Sequence, residues 1–177
     1  MAAPEAPPTY RLIGTRIPYI EGPLKVTGRA EYTDDIKRPG QLIARLLRSP
    51  WPHARIRSID VSAARAMPGV AAVLTGEKYP TPFGVLPITH DETAIAVGKV
   101  RYIGDIVAAV AAVDEATADR ALQAIRVDVE VLPEYTDPKT GVEKVAEPIH
   151  ARGLNGTNIQ KEVVQHFGDV DAAFAQA

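Results

Sequence analysis

The chain has 177 residues, of which 46% are hydrophobic and 24% charged, with a formal net charge of −2. That balance offers no basic surface for nucleic acid or an anionic membrane, and the length suffices for one domain with extensions. Cysteine is absent, which excludes disulfides, thiolate nucleophiles and zinc or iron–sulfur clusters held by this chain's own thiolates.

Residues 1–23 contain five prolines and no sustained period, the pattern of an extended arm. They lack a basic stretch followed by an apolar one, so they do not read as a secretory signal. No run approaches the ~18 apolar residues of a membrane span. A soluble cytoplasmic protein is the expectation. Residues 25–35 suggest a turn at Gly28 and a short strand over 30–32. Residues 41–47 suggest a better strand, with Leu42, Ala44 and Leu46 on one side and Ile43, Arg45 and Leu47 on the other.

Residues 55–74 form a first strand–helix–strand pattern. The strand covers 56–61, Ser62 is placed as N-cap of a short helix over 63–67, Pro68-Gly69 stops it, and 70–74 is the next strand. Residues 99–135 repeat the pattern more clearly. Residues 106–113 are an unbroken apolar run, suited to a strand covered on both faces. Asp114 is a candidate N-cap, followed by Ala118, Ala121, Leu122 and Ile125 on one helical stripe. Val127, Val129 and Val131 then alternate with Arg126, Asp128 and Glu130, a strand with one wet face that Leu132-Pro133 ends. Strands flanking such a helix would give a right-handed crossover if they lay parallel in one sheet. The fold class is therefore α+β, with a mixed sheet and two strand–helix–strand units. Residues 136–158 read as a polar linker, 158–167 as one further strand, and 168–177 as a helix that is still in pattern at the last residue, as if the segment continued.

Few residues carry chemistry of their own. His53 stands alone just before a strand, and His90, His150 and His166 show no metal-ligand spacing. The acidic pairs Asp34-Asp35, Asp91-Glu92 and Asp114-Glu115 are sequence neighbours, which seldom face each other, so caps and turns are the better reading. No catalytic, cofactor-binding or metal-ligating residue is assigned. The segment that invites a functional reading is the loop of residues 76–98, long for a compact domain. Within it Phe83, Gly84, Val85, Leu86 and Ile88 either pin the loop to the core or meet another domain, a subunit or a substrate channel.

Several blocks in order resemble the molybdenum-cofactor subunit of the xanthine dehydrogenase / aldehyde oxidase family. They are the run from Lys25 through Val26-Thr27-Gly28 to Asp35; Arg48-Ser49-Pro50 with His53-Ala54-Arg55-Ile56 and Ile59-Asp60; and Pro68-Gly69-Val70. Val100-Arg101-Tyr102-Ile103-Gly104-Asp105, Val131-Leu132-Pro133-Glu134-Tyr135 and Gly168-Asp169-Val170 with Phe174 complete the set. The loop Phe83-Gly84-Val85-Leu86-Pro87-Ile88 followed by Lys99-Val100-Arg101-Tyr102 is most similar to the branch containing 4-hydroxybenzoyl-CoA reductase.

The resemblance implies an α/β hammerhead domain over residues 24–135, preceded by the arm 1–23. Residues 136–177 would then be a linker and the start of the cofactor-binding region. It implies a molybdopterin-type cofactor bound later in the subunit, with the glutamate base also there. Iron–sulfur clusters and FAD would lie on partner subunits, an iron–sulfur subunit and a flavin subunit. Family members hydroxylate a purine, an N-heteroaromatic ring or an aldehyde with water, and the reductase branch removes a phenolic hydroxyl from a coenzyme A thioester. The rival reading is a freestanding α/β binding or assembly module, since fold alone does not decide function. Reading the gene past Ala177 separates the two.

Overall fold

The computed structural model describes residues 10–84, 90–143 and 145–177. The chain divides into two units, Met1–Gln41 and Leu42–Ala177.

In the first unit no described residue is buried. Its described residues hold one short helix, α1 (Gly22–Val26), and a single 3-10 turn, Thr33–Asp35, where the Tyr32 N–H donates to Asp35 Oδ2 at 2.9 Å. The strand expected over 30–32 does not form. Gly28 at φ +68° turns the chain back, and the N–H groups of Arg29 and Ala30 donate to the Leu24 carbonyl at 2.8 and 3.0 Å, closing α1 instead of joining a ladder.

The second unit contains β1 (Ile43–Arg48), β2 (Ala54–Asp60), α2 (Ser62–Arg65), β3 (Val70–Thr75), β4 (Lys99–Val100), β5 (Ile106–Ala112), α3 (Glu115–Ala124), β6 (Arg126–Val131) and α4 (Val170–Ala175). The strands form two three-stranded sheets of order β1-β5-β3 and β4-β2-β6, and every pairing within them is antiparallel. The α+β class stands, but two antiparallel sheets replace the mixed sheet. Both strand–helix–strand units pass from one sheet to the other. The second leaves the first sheet at β5 and enters the other at β6, and the first runs the opposite way from β2 to β3. The parallel crossover therefore does not arise: both edges of β5 are already occupied, by β1 and β3.

Sequence explains the local structure. Asp114 Oδ1 accepts the Thr117 N–H at 2.7 Å and caps α3 as expected. Ser62 is the first residue of α2 and not its cap, because the Asp60 carboxylate two residues earlier accepts the Ser62 N–H at 2.9 Å. Small residues let the helices approach closely. Ala64, Ala118 and Ala121 are fully enclosed and pack with Val61, Val73, Val110 and Ile125 on the face of the first sheet. The other side of β5 contributes Val107 to a second cluster with Ala54, Ala96 and Val100. Residues 158–167 form no strand and have no ladder partner, and residues 161–177, the short helix α4 included, are all exposed. Residues 136–158 are irregular yet pinned by the contacts described next.

Candidate functional site

The ends of three irregular segments meet beside β4 and β5 and enclose a pocket of about 160 Å³. The first is the neck of the long loop. Phe83 and Glu92 exchange two backbone hydrogen bonds, Phe83 N–H to the Glu92 carbonyl at 2.8 Å and Glu92 N–H to the Phe83 carbonyl at 3.1 Å. The second is the turn over residues 101–105 between β4 and β5. Its backbone is tied to Ser49, whose N–H donates to the Asp105 carbonyl at 2.8 Å and whose carbonyl accepts the Gly104 N–H at 2.8 Å. The third is the segment around His150.

Asp105 is the buried acid of this pocket, 8% exposed. Its Oδ2 accepts the Arg101 N–H at 3.1 Å. Burial pushes its carboxyl above the usual carboxylate range, against the lowering effect of that N–H and of the Arg101 charge. The Arg101 guanidinium turns toward the Lys99 carbonyl, at 3.4 Å, and its Nε is enclosed without an acceptor. His150 Nδ1 lies 2.9 and 3.1 Å from the two Asp91 oxygens, an ion pair when the imidazole is protonated.

A polar clip holds the third segment on the second sheet. Glu147 pairs with Lys99 at 3.3 Å and Arg55 at 3.0 Å, and Lys99 Nζ also donates to the Pro148 carbonyl at 2.7 Å. Burial, helped by the Arg101 and Arg55 charges, pushes the Lys99 ammonium pKa down against the raising effect of Glu147. Tyr135 donates its hydroxyl to the Glu147 carbonyl at 3.1 Å. Next to this clip, His53 is 1% exposed and its Nδ1 donates to the Pro133 carbonyl at 2.7 Å, while Nε2 is buried without a partner. Burial pushes the pKa of this imidazole down more strongly than the Pro133 bond pulls it up, which favours the neutral ring. His53 thus braces the start of β2 against the exit of β6.

Of the loop residues singled out in the sequence, Phe83 lines the pocket and is 47% exposed, and Gly84 beside it is half-buried. Val85, Leu86 and Ile88 lie outside the described residues. The acidic pairs do not face one another as dyads: Asp114 caps α3, Glu115 pairs with Arg45 at 2.9 Å, and Asp91 turns to His150. Sequence reasoning missed Asp105, Arg101 and His150 as neighbours. Only the ordered block around Arg101 and Asp105 carried any signal of them. Among the described residues no group of three His, Asp or Glu side chains is placed to hold a metal.

Residues 27–133 match the family model described as "Aldehyde oxidase and xanthine dehydrogenase, a/b hammerhead domain". The chain is 40% identical over 156 residues to the xanthine dehydrogenase molybdenum-binding subunit of Escherichia coli O157:H7, covering 82% of this chain and 20% of that protein. It is 37% identical over 169 residues to the nicotinate dehydrogenase large molybdopterin subunit of Eubacterium barkeri, covering 94% and 38%. Among solved structures, quinoline 2-oxidoreductase from Pseudomonas putida 86 aligns with a TM-score of 0.65 at 36% identity, over 73% of this chain and 18% of that one. The aldehyde oxidoreductase of Desulfovibrio desulfuricans aligns at 0.69 and 31% identity, over 83% and 17%. The chain spans about a fifth of the length of the xanthine dehydrogenase subunits it matches. With a hammerhead match over residues 27–133 and such identity throughout, the chain belongs to the aldehyde oxidase and xanthine dehydrogenase family.

Proposed function

We propose that this chain is the N-terminal scaffold of a molybdopterin-dependent hydroxylase large subunit that oxidises an N-heteroaromatic ring with water. The observation that carries it is the hammerhead match together with relatives named for xanthine, nicotinate, nicotine and quinoline. In this reading residues 1–23 are an arm, 24–135 the hammerhead, and 136–177 the lead into the cofactor-binding region. The segment itself is not catalytic. When bound, the cofactor supplies the redox centre for hydroxylation, but these residues do not fit it. The pocket beside β4 and β5, at about 160 Å³, falls short of the ~300–1,000 Å³ that bound small molecules and cofactors occupy.

The partners in this reading are the remainder of the large subunit and, in a cytoplasmic complex, an iron–sulfur subunit and a flavin subunit. Among the described residues no helix is long and apolar enough to cross a membrane. The face of Phe83 and Gly84, with Val85, Leu86 and Ile88, meets another part of that complex. Supporting this, Phe83 is half exposed at a pocket rim and not sunk in either core cluster. A narrower reading, reductive dehydroxylation of 4-hydroxybenzoyl-CoA, rests on the resemblance of residues 83–88 and 99–102 alone. The test is to purify the native complex, measure its metals and assay N-heteroaromatics, purines, aldehydes and 4-hydroxybenzoyl-CoA side by side. Molybdenum with turnover of an N-heteroaromatic is expected. A complex without molybdenum overturns the whole reading, and turnover of the thioester alone replaces the substrate class.

A further inference from the structure

The pocket beside β5 is unbalanced in charge. Two acidic residues, Asp105 and Glu92, line it with one basic residue, Arg101, while His150 is occupied by Asp91. Asp105 is 8% exposed; its Oδ2 accepts the Arg101 backbone N–H, and among the described residues no charged side-chain nitrogen of Lys, Arg or His lies within 4 Å of its carboxylate. A buried carboxylate in this state is costly unless a cation joins it. Arg101 does not serve, because its guanidinium is turned to the Lys99 carbonyl and its enclosed Nε has no acceptor.

The rim is aromatic and unprotected. Phe83 is 47% exposed and Tyr102 59%, and both line the same pocket, with Ile103 beside them 69% exposed. Two exposed aromatic residues lining the same pocket as two acidic ones suit the head of a long cationic side chain, which gains from the charges and from the rings together. At ~30 Å³ per water, a pocket of about 160 Å³ has room for roughly five waters, or for the end of one such side chain. A metal ion is a poorer occupant, as no third ligand is in place among the described residues.

We propose that this pocket receives a lysine or arginine side chain from a polypeptide segment of the assembled enzyme, paired with Asp105 and Glu92 and lying against Phe83 and Tyr102. The inference rests on the reading that the Phe83 face meets another part of the complex, and it names the chemistry of the contact. The cation neutralises the buried acid, and the rings exclude water from the pair, so the contact is specific for a positive residue.

The test is hydrogen exchange read by mass spectrometry on the whole purified complex, following amides 91–106. The variants are Asp105→Asn with Glu92→Gln, Phe83→Ala with Tyr102→Ala, and Arg101→Gln. The Asp105→Asn change keeps an oxygen for the Arg101 N–H and removes a buried charge, so the hammerhead itself stays folded, which thermal denaturation checks. The charge-neutral pair is expected to speed exchange about tenfold or more relative to wild type. Raising NaCl from about 0.05 to 0.5 M is expected to speed the wild type while leaving that variant unchanged. The aromatic variant should speed exchange as well. If only the aromatic variant responds, the face docks but without a cation, and the proposal falls while the docking reading survives. If Arg101→Gln alone responds, the occupant is an anion and the proposal is overturned. If no variant responds, the face is unoccupied and both readings fail.

Discussion

Replacing Gly76 with alanine tests a close approach of two backbone segments in the second unit. Gly76 follows β3, is buried, and has a backbone conformation open to any residue, so a side chain is excluded by space alone. A Cβ there would lie 2.3 Å from the Ala96 carbonyl oxygen, 2.7 Å from that of Ile95 and 2.8 Å from Val97 Cγ2. Two of the three obstacles are backbone, so no rotamer change relieves them. The segment of Ile95 and Ala96 must move, and it is held by the Ala96 N–H bond to the Ile106 carbonyl at 2.7 Å. Overpacking of this kind costs ~1–3 kcal/mol, and the upper end applies where backbone must shift. The loss of unfolded-chain freedom returns ~0.4–1 kcal/mol. The net destabilisation is therefore about 2 kcal/mol, or ~4–8 °C in Tm for a chain of this size. Urea denaturation of Gly76→Ala beside Gly141→Ala is the assay. Gly141 is the control, since its Cβ would meet only Asn158 Cβ, at 3.6 Å. A Gly76 variant as stable as the control would refute the close approach.

Three further outcomes follow from the described contacts. The folded state depresses the pKa of His53, whereas the unfolded chain binds its proton near the ordinary ~6.5, so unfolding takes up a proton below that pH and stability falls as pH drops through it. Denaturation between about pH 5 and 8 should show this slope in wild type and a flatter one in His53→Asn; equal slopes would remove His53 as the cause. Val110→Ala deletes two methyl groups at a side chain 1% exposed and should cost about 2 kcal/mol, from ~0.8 per carbon plus the cavity, read by the same denaturation. Glu147→Gln leaves Lys99, with only 14% of its side chain exposed, without its carboxylate partner. Amide exchange at Val145 and Ile149 should then quicken; unchanged rates would mean that the remaining hydrogen bonds hold the segment.

The strand–helix–strand units were legible because their signals are local. The Asp114 cap, the Ala118–Ala121–Ile125 stripe and the apolar run of β5 need no distant partner to be recognised. Sheet membership was not local, and the mixed sheet expected there is two antiparallel sheets. One clue was present: β6 alternates valines with Arg126, Asp128 and Glu130, a wet face that antiparallel sheets tolerate and parallel ones rarely show. The pocket was least legible. Asp91 and His150 are 59 residues apart and meet only through the folded path of two irregular segments, which no periodicity encodes. Phe83 was singled out, yet the carboxylates that give its surroundings their character come from Glu92 and Asp105.

The strand orders β1-β5-β3 and β4-β2-β6 also set a timetable for synthesis. None of the first three strands has a ladder partner among the described residues until β4 emerges at Lys99, and β1 and β3 wait for β5 at Ile106. At ~5–20 residues per second on the ribosome, β1 stays unpaired for several seconds, on the order of 3–12 s. Three nascent strands with open edges and alternating apolar faces are then exposed together, a state prone to pairing with neighbouring chains. Pauses in translation between residues 75 and 106 would lengthen that window, so the yield of folded protein becomes a matter of elongation speed and chaperone capture as well as of final stability.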